Sequence, residues 1–115
     1  MSVITSSLDS AIATLTLNNP KRRNALSSEL IDALLTALSK AETGRAHVVV
    51  LRAAKDAKIW SAGHDIDELP EGGRDPLGWD DPLRNLVRSI ENCPIPVIAM
   101  IEGGVWGGAC EVVLA

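Results

Sequence analysis

The fold class is decided by His47-Val-Val-Val-Leu51, a nearly continuous β-branched run that predicts a strand buried on both faces. Leucine and isoleucine recur at helical spacing from Leu30 to Leu38 just before this run, which predicts a helix over residues 27–42. Two short apolar stretches, residues 3–8 and 11–17, come earlier and predict a β-hairpin. The order of these elements indicates an α/β fold that contains a βαβ unit.

The rest of the chain predicts further elements around a long irregular stretch. Residues 52–78 show no sustained periodicity and are interrupted by Gly and Pro, and loops of this length in a compact domain are usually functional or disordered. Asp81-Pro82 marks the start of a second amphipathic helix that must end at Cys93-Pro94. Residues 96–101 predict another buried strand, followed by a glycine-rich turn at 103–108 and the start of a helix.

The composition of the 115 residues excludes several classes of protein. With 46% hydrophobic and 23% charged residues, the chain is an ordinary globular domain and not a disordered segment. Eleven basic and fifteen acidic residues give a net charge of −4, which disfavours nucleic acid and anionic membranes as partners. No export signal or membrane-spanning run is present, and the two cysteines have no metal or disulfide spacing, so we expect a cytoplasmic protein.

Two small-residue turns are candidate sites. The turn Gly103–Gly108 follows a strand and opens a helix, where backbone N–H groups can hold an anion, although tight packing explains the glycines equally well. It matches neither GxGxxG nor GxxxxGK[ST], so no dinucleotide or nucleotide triphosphate is indicated. The turn Ser61–Ile66 offers a second N–H, and His64 within it could be a base, a polar contact or an exposed loop residue; a metal ligand is the least favoured role.

Other residues leave two interpretations open. Glu111 lies one turn into the last helix and is either a general base or an acid that stabilises the helix N-terminus. Trp60 and Trp106 either wall an apolar pocket or pack in the core. The cluster Lys21-Arg-Arg23 either binds a phosphate or is simply solvated.

Three stretches together resemble the N-terminal signatures of the crotonase (enoyl-CoA hydratase/isomerase) superfamily: Pro20-Lys-Arg-Arg-Asn-Ala-Leu26, Ser61-Ala-Gly-His-Asp-Ile66 and Gly104-Val-Trp-Gly-Gly-Ala-Cys-Glu111. The resemblance spans essentially the whole chain. It implies an α/β fold of the crotonase-like ββα spiral type, with residues 1–115 as the N-terminal part of a single domain. Members that decarboxylate methylmalonyl-CoA are most similar, on the residues Gly63–Pro70, Gly73–Leu77, Asp80–Arg84 and Val105–Gly108.

The resemblance also implies a site for an acyl-CoA thioester. The backbone N–H groups of His64 and Gly108 would form an oxyanion hole for the thioester oxygen, and no metal or separate cofactor would be needed because coenzyme A is part of the substrate. Lys21, Arg22 and Arg23 would contact the CoA phosphates. Asp65, Ile66, Asp67 and Glu68 would line the path of the adenine and pantetheine through backbone atoms, with the side chains of Trp60 and Trp106 nearby. The remaining predicted substrate-binding residues are Ala62, Trp106 and Gly107.

The reaction implied first is decarboxylation of methylmalonyl-CoA to propionyl-CoA through an enolate. One alternative is an enoyl-CoA hydratase/isomerase with Glu111 as acid/base, and another is a non-catalytic fragment that binds CoA or oligomerises. The resemblance also implies a homo-oligomer, a trimer or hexamer in the complete enzyme. The second acid of the hydratases and a tyrosine of the decarboxylases would lie beyond residue 115, and the chain contains no Tyr. We therefore expect a truncated chain with little or no activity.

Overall fold

The structure, a computed structural model, describes residues 2–68 and 81–115. Four strands form the main sheet in the order β1-β2-β3-β5, namely β1 (Ile4–Asp9), β2 (Ile12–Leu17), β3 (Val48–Ala53) and β5 (Val97–Met100). Two short strands form a second sheet, β4 (Ile59–Ser61) and β6 (Gly104–Val105). The helices are α1 (Ser28–Thr43), α2 (Pro82–Glu91) and α3 (Ala109–Leu114). None of these helices in the described ranges has the length and apolar character needed to cross a bilayer.

The hairpin and the βαβ unit are both confirmed. Strands β1 and β2 are antiparallel, and β2 and β3 are parallel with α1 between them in the chain. The hairpin turns at Ser10 and Ala11, whose φ angles are 51° and 66°. Positive φ at both central residues matches the right-handed twist of the flanking strands.

The core lies between one face of the main sheet and helices α1 and α2. The register sets Ala13, Leu15 and Leu17 of β2 beside alternate residues of β3, so these side chains share one face of the sheet. All three are buried and belong to one apolar cluster with residues of both helices. The principal helix contributions to this cluster are Leu30, Ile31, Leu34, Leu38, Leu83 and Leu86.

The prediction that strands β3 and β5 are buried on both faces is wrong. In β3 the residues Val49, Leu51 and Ala53 are buried, whereas the residues between them are only half-buried. In β5 the side chains of Ile98 and Met100 are 53% and 40% exposed. The reason is that the described helices cover a single face of the sheet, and β5 is its edge strand.

Both predicted helix starts are confirmed. The Oγ of Ser27 accepts a hydrogen bond from the N–H of Leu30 at 3.1 Å, and α1 runs to Thr43. A carboxylate oxygen of Asp81 accepts from the N–H of Leu83 at 3.0 Å at the start of α2. Each cap satisfies a backbone donor that has no partner within its helix.

The stretch over residues 52–78 contains more regular structure than its sequence indicates. Strand β4 and a 3-10 turn at Ile66–Glu68 lie within it. Strand β4 has only three residues, too few for a period to be recognised. The residues Leu69, Pro70, Gly73–Leu77 and Asp80, which contribute to the resemblance, lie outside the described residues.

Trp60 joins the two sheets. Its side chain is 1% exposed, and its indole Nε1–H donates to the carbonyl oxygen of Met100 at 2.9 Å. Trp60 is therefore a core residue, whereas Trp106 is 61% exposed. Of the two interpretations for this pair, core packing holds for Trp60.

We expect Trp60→Phe to lower the free energy of unfolding by roughly 2 kcal/mol, because the substitution removes buried ring volume and leaves a partly buried carbonyl without its donor. Urea denaturation monitored by circular dichroism measures this. The control is Trp106→Phe, which changes an exposed ring and should shift stability by less than about 0.5 kcal/mol. Equal losses in the two variants would contradict the role given to Trp60.

Candidate functional site

The pairing of β4 with β6 brings the two glycine-containing turns together. The strands are parallel, with Ile59 beside Gly104 and Ser61 beside Val105. The N–H of Trp106 also donates to the carbonyl oxygen of Ser61 at 3.1 Å. Because the carboxyl ends of parallel strands lie at one edge, the turn after β4 and the turn after β6 emerge side by side.

Gly63 makes this close approach possible. Its φ is +89°, and a Cβ at this position would lie 2.6 Å from the carbonyl oxygen of Trp106 and 2.9 Å from the backbone N of Gly108. No other residue type fits both the conformation and the space. Within residues 2–68 and 81–115, the backbone N–H groups of His64 and Gly108 donate no hydrogen bond. The structure thus places two unengaged donors on adjoining turns.

The side chain of His64 makes a polar contact. Its Nε2 lies 3.3 Å from Oδ2 of Asp81, a carboxylate that is 8% exposed. The ring itself lies against Gly108, since a Cβ on Gly108 would be 3.1 Å from Nδ1 of His64. No group of three or more His, Cys, Asp or Glu with the spacing of a metal site occurs in the described part of the chain.

The loop before α1 packs along β4 and the turn that follows it. Asn24 is buried, and its Nδ2 donates to the carbonyl oxygen of Trp60 at 3.0 Å. Ser61, which is fully buried, donates from Oγ to the carbonyl oxygen of Asn24 at 2.7 Å. The N–H of Leu26 donates to the carbonyl oxygen of Gly63 at 2.7 Å. These bonds fix the backbone immediately before His64.

Sequence reasoning missed Asn24 and Ser61 as supports of the site. The available signal was their residue type, because a short polar side chain between apolar neighbours often bonds to nearby backbone. Asn24 has a φ of 54°, in the left-handed region that Asn tolerates better than most residues. Their partners, however, lie 36 and 37 residues away in sequence, and local patterns do not report such distances.

Arg22 is engaged by two carboxylates. Its Nη2 lies 2.6 Å from Oδ1 of Asp65 and 2.8 Å from Oδ2 of Asp67. The guanidinium hydrogen bond to Asp65 holds the pKa of that carboxyl below its usual value, and burial opposes this shift. The same two acids raise the pKa of Arg22. Arg22, one of the three predicted phosphate contacts, is therefore paired with carboxylates of the protein itself. Lys21 and Arg23 form no ion pair within the described ranges.

Glu68 is hydrogen-bonded to the start of α1. Its Oε1 accepts from the backbone N–H of Ser28 at 2.9 Å and from the Ser28 hydroxyl at 2.7 Å. Ile66, in contrast, is 78% exposed. The acids at 65, 67 and 68 therefore brace the loop and the start of α1, and Ile66 presents its side chain to solvent.

Glu111 lies in the first turn of α3, close to Gly108 in the chain. Its Oε2 is 3.5 Å from Nη1 of Arg84 on α2, and both side chains are 41% exposed. A partly exposed carboxylate next to the glycine turn is accessible to a substrate.

Comparison with known proteins assigns the family. A sequence model described as enoyl-CoA hydratase/isomerase matches residues 7–115. The chain belongs to the enoyl-CoA hydratase/isomerase family. The crotonase resemblance carried by the three sequence stretches is thereby confirmed.

Among curated family members, methylmalonyl-CoA decarboxylase of Escherichia coli (strain K12) is 48% identical over 104 residues, covering 90% of this chain and 40% of that protein. A probable enoyl-CoA hydratase of Bacillus subtilis (strain 168) is 34% identical over 117 residues, covering 100% of this chain and 45% of that protein.

Solved structures of the family confirm the fold. Methylmalonyl-CoA decarboxylase complexed with 2S-carboxypropyl-CoA matches with a TM-score of 0.95 and 44% identity, over 99% of this chain and 44% of that one. The same enzyme in complex with 2-nitronate-propionyl-CoA matches with a TM-score of 0.94 and 45% identity, over 97% and 43%. The chain therefore has the crotonase-type α/β fold and spans less than half the length of these relatives.

We expect Gly63→Ala to lower the free energy of unfolding by roughly 2 kcal/mol or more, because the new Cβ meets backbone atoms and φ is positive. The matched control is Gly107→Ala. Gly107 has a φ of +53°, but among the described residues its Cβ would meet no atom closer than 3.8 Å, so we expect only the conformational cost of about 1 kcal/mol. Urea denaturation of both variants measures the difference, and a smaller loss for Gly63→Ala would contradict the close approach.

We expect Arg22→Gln to make stability less dependent on pH in acid. The pKa of Asp65 in the folded protein is below the value of about 3.9 for an unpaired aspartate, so this carboxylate stabilises the fold fully above that pH. The contribution is lost as pH falls through the folded pKa. Urea midpoints measured from pH 6 down to pH 2.5 should therefore fall more steeply for the unmodified chain than for the variant. Lys21→Gln is the control and should retain the steep fall.

Proposed function

We propose that this chain supplies the oxyanion-binding part of an acyl-CoA enzyme, and that the reaction is decarboxylation of methylmalonyl-CoA to propionyl-CoA. The observation that carries the proposal is the backbone approach of Gly63 to Gly108, which sets the N–H groups of His64 and Gly108 on adjoining turns. The 48% identity to methylmalonyl-CoA decarboxylase supports the choice of reaction.

In this proposal the thioester oxygen accepts hydrogen bonds from both N–H groups. Cleavage of the bond between the substrate carboxylate and Cα releases CO2 and leaves the electron pair on Cα, from which it is delocalised onto the thioester oxygen as an enolate. The two donors stabilise the charge that develops there, and removing one such donor typically costs about 3 kcal/mol of barrier. A proton added to Cα then gives propionyl-CoA. The chain needs no metal or organic cofactor for these steps.

The coenzyme A portion is proposed to contact the basic loop before α1. Lys21 and Arg23 are the candidate phosphate contacts, because Arg22 is held by Asp65 and Asp67. Arg23 and Lys58 both line a cleft of about 320 Å³ beside β4. The backbone of Ala62 and of residues 65–68 would follow the pantetheine. We further propose that the enzyme acts in the cytoplasm as a homo-oligomer.

A second candidate reaction is hydration or isomerisation of an enoyl-CoA with Glu111 as acid/base. It is favoured by the exposed position of this carboxylate in the first turn after Gly108. The identity of 34% to a probable enoyl-CoA hydratase points in the same direction. Both reactions would use the same two backbone donors and differ in their need for the acid.

We expect Glu111→Gln to separate the two reactions, because decarboxylation needs the backbone donors while hydration needs a carboxylate for proton transfer. With methylmalonyl-CoA as substrate, the variant should form propionyl-CoA within about tenfold of the unmodified rate. A hydratase would lose at least roughly a hundredfold with crotonyl-CoA. Mass spectrometry of the CoA products measures both.

Glu91→Gln is the matched control, since it removes an exposed carboxylate at the far end of α2. Its rates should equal those of the unmodified chain. Hydration of crotonyl-CoA without any propionyl-CoA from methylmalonyl-CoA would overturn the decarboxylase proposal. Binding of both thioesters without turnover would assign the chain to a non-catalytic binding role.

A further inference from the structure

One carboxylate at the start of α2 is shared between the helix and the candidate site. Oδ2 of Asp81 accepts the N–H of Leu83 at 3.0 Å and lies 3.3 Å from Nε2 of His64. The side chains of Asp81 and His64 are 8% and 23% exposed, so most of the contact is shielded from water. A cap alone would require only the first of these two bonds.

The contact with Asp81 favours a hydrogen on Nε2 of the His64 ring. An ionised carboxylate can only accept, so Nε2 of His64 must carry the proton that points to Asp81. In the Nε2–H tautomer the lone pair lies on Nδ1. This nitrogen is the one that lies against Gly108, 3.1 Å from the position of a Cβ there.

The first turn of α2 also contacts Gly108, the residue that carries the other backbone N–H donor. A Cβ on Gly108 would lie 2.7 Å from Cδ2 of Leu83, and the Leu83 side chain is fully buried. The first turn of α2 thus meets His64 through Asp81 and meets Gly108 through Leu83. Movement of this turn would shift both backbone N–H groups.

We propose that Asp81 is a positioning residue for the pair of N–H donors. By holding Nε2 of His64, its carboxylate fixes the imidazole between α2 and Gly108, and through the ring it sets the spacing of the two N–H groups. Asp81 does not touch the substrate in this proposal. The inference rests on the proposed oxyanion role of His64 and Gly108.

Two substitutions separate this role from helix capping. Asp81→Ser retains a good N-cap, but its side chain is too short to reach His64. Asp81→Asn retains the cap and an acceptor oxygen at the same distance. If capping were the whole role of Asp81, the two variants would behave alike. If the contact to His64 matters, the serine variant alone should be impaired.

The first readout is nuclear magnetic resonance of the ¹⁵N-labelled protein. In the unmodified chain and in Asp81→Asn, we expect the His64 ring to be the Nε2–H tautomer. We also expect the amide signals of His64 and Gly108 both to move on addition of propionyl-CoA. In Asp81→Ser, the ring signals should shift towards a mixture of tautomers, and the two amides should no longer move together. Unchanged ring and amide signals in the serine variant would overturn the inference.

The second readout is turnover of methylmalonyl-CoA. We expect kcat of Asp81→Ser to fall by roughly tenfold or more with little change in KM, because misplaced donors weaken binding of the transition state rather than of the substrate. Asp81→Asn should recover most of the rate, and a loss common to both variants would overturn the inference. Absence of turnover in the unmodified chain agrees with the expectation of little or no activity, and the ring and amide signals then decide the inference alone. Failure of the unmodified chain to bind propionyl-CoA would contradict the proposed function instead.

Discussion

The candidate site depends on one close approach between two backbone segments. At Gly63 the chain lies directly against the turn that contains Gly108, with no side chain between them. A Cβ on Gly63 would meet both Trp106 and Gly108. The approach follows from the parallel pairing of β4 with β6, two very short strands that would not be stable as an isolated pair. Their stability must come from their surroundings.

Those surroundings hold the small sheet from three directions. Trp60 anchors β4 to β5 through its indole N–H. The loop around Asn24 bonds to the other edge of β4. The start of α2 contacts the two turns through His64 and Leu83. Contacts from distant elements therefore hold the main-chain atoms of the candidate site in place.

The sequence predicts the periodic elements well and the arrangement of the site poorly. The hairpin, α1 with its Ser27 cap and α2 with its Asp81 cap depend on local patterns, and all are found. Strand β4 was missed because three residues show no recognisable period. The exposed face of β5 was missed because an apolar run does not reveal which neighbours cover it.

The candidate site shows the same division. The two glycine turns are recognised from composition, because small residues between a strand and a helix indicate a turn, whether it binds an anion or only packs tightly. The roles of the charged residues depend on contacts over long sequence separations. Arg22 reads as a solvated or phosphate-binding cation, yet it is 43 residues from the aspartate that engages it. No local rule contains that information.

The N–H groups of His64 and Gly108 belong to the main chain, so mutation affects them differently from side chains. Almost every codon change leaves an N–H at positions 64 and 108, so mutation acts on these groups by displacing them and seldom by deleting them. The side chains around them are free of that constraint and can be exchanged one at a time. Descendants of such a scaffold can therefore acquire new side chains around the two backbone N–H groups while the groups themselves are inherited unchanged.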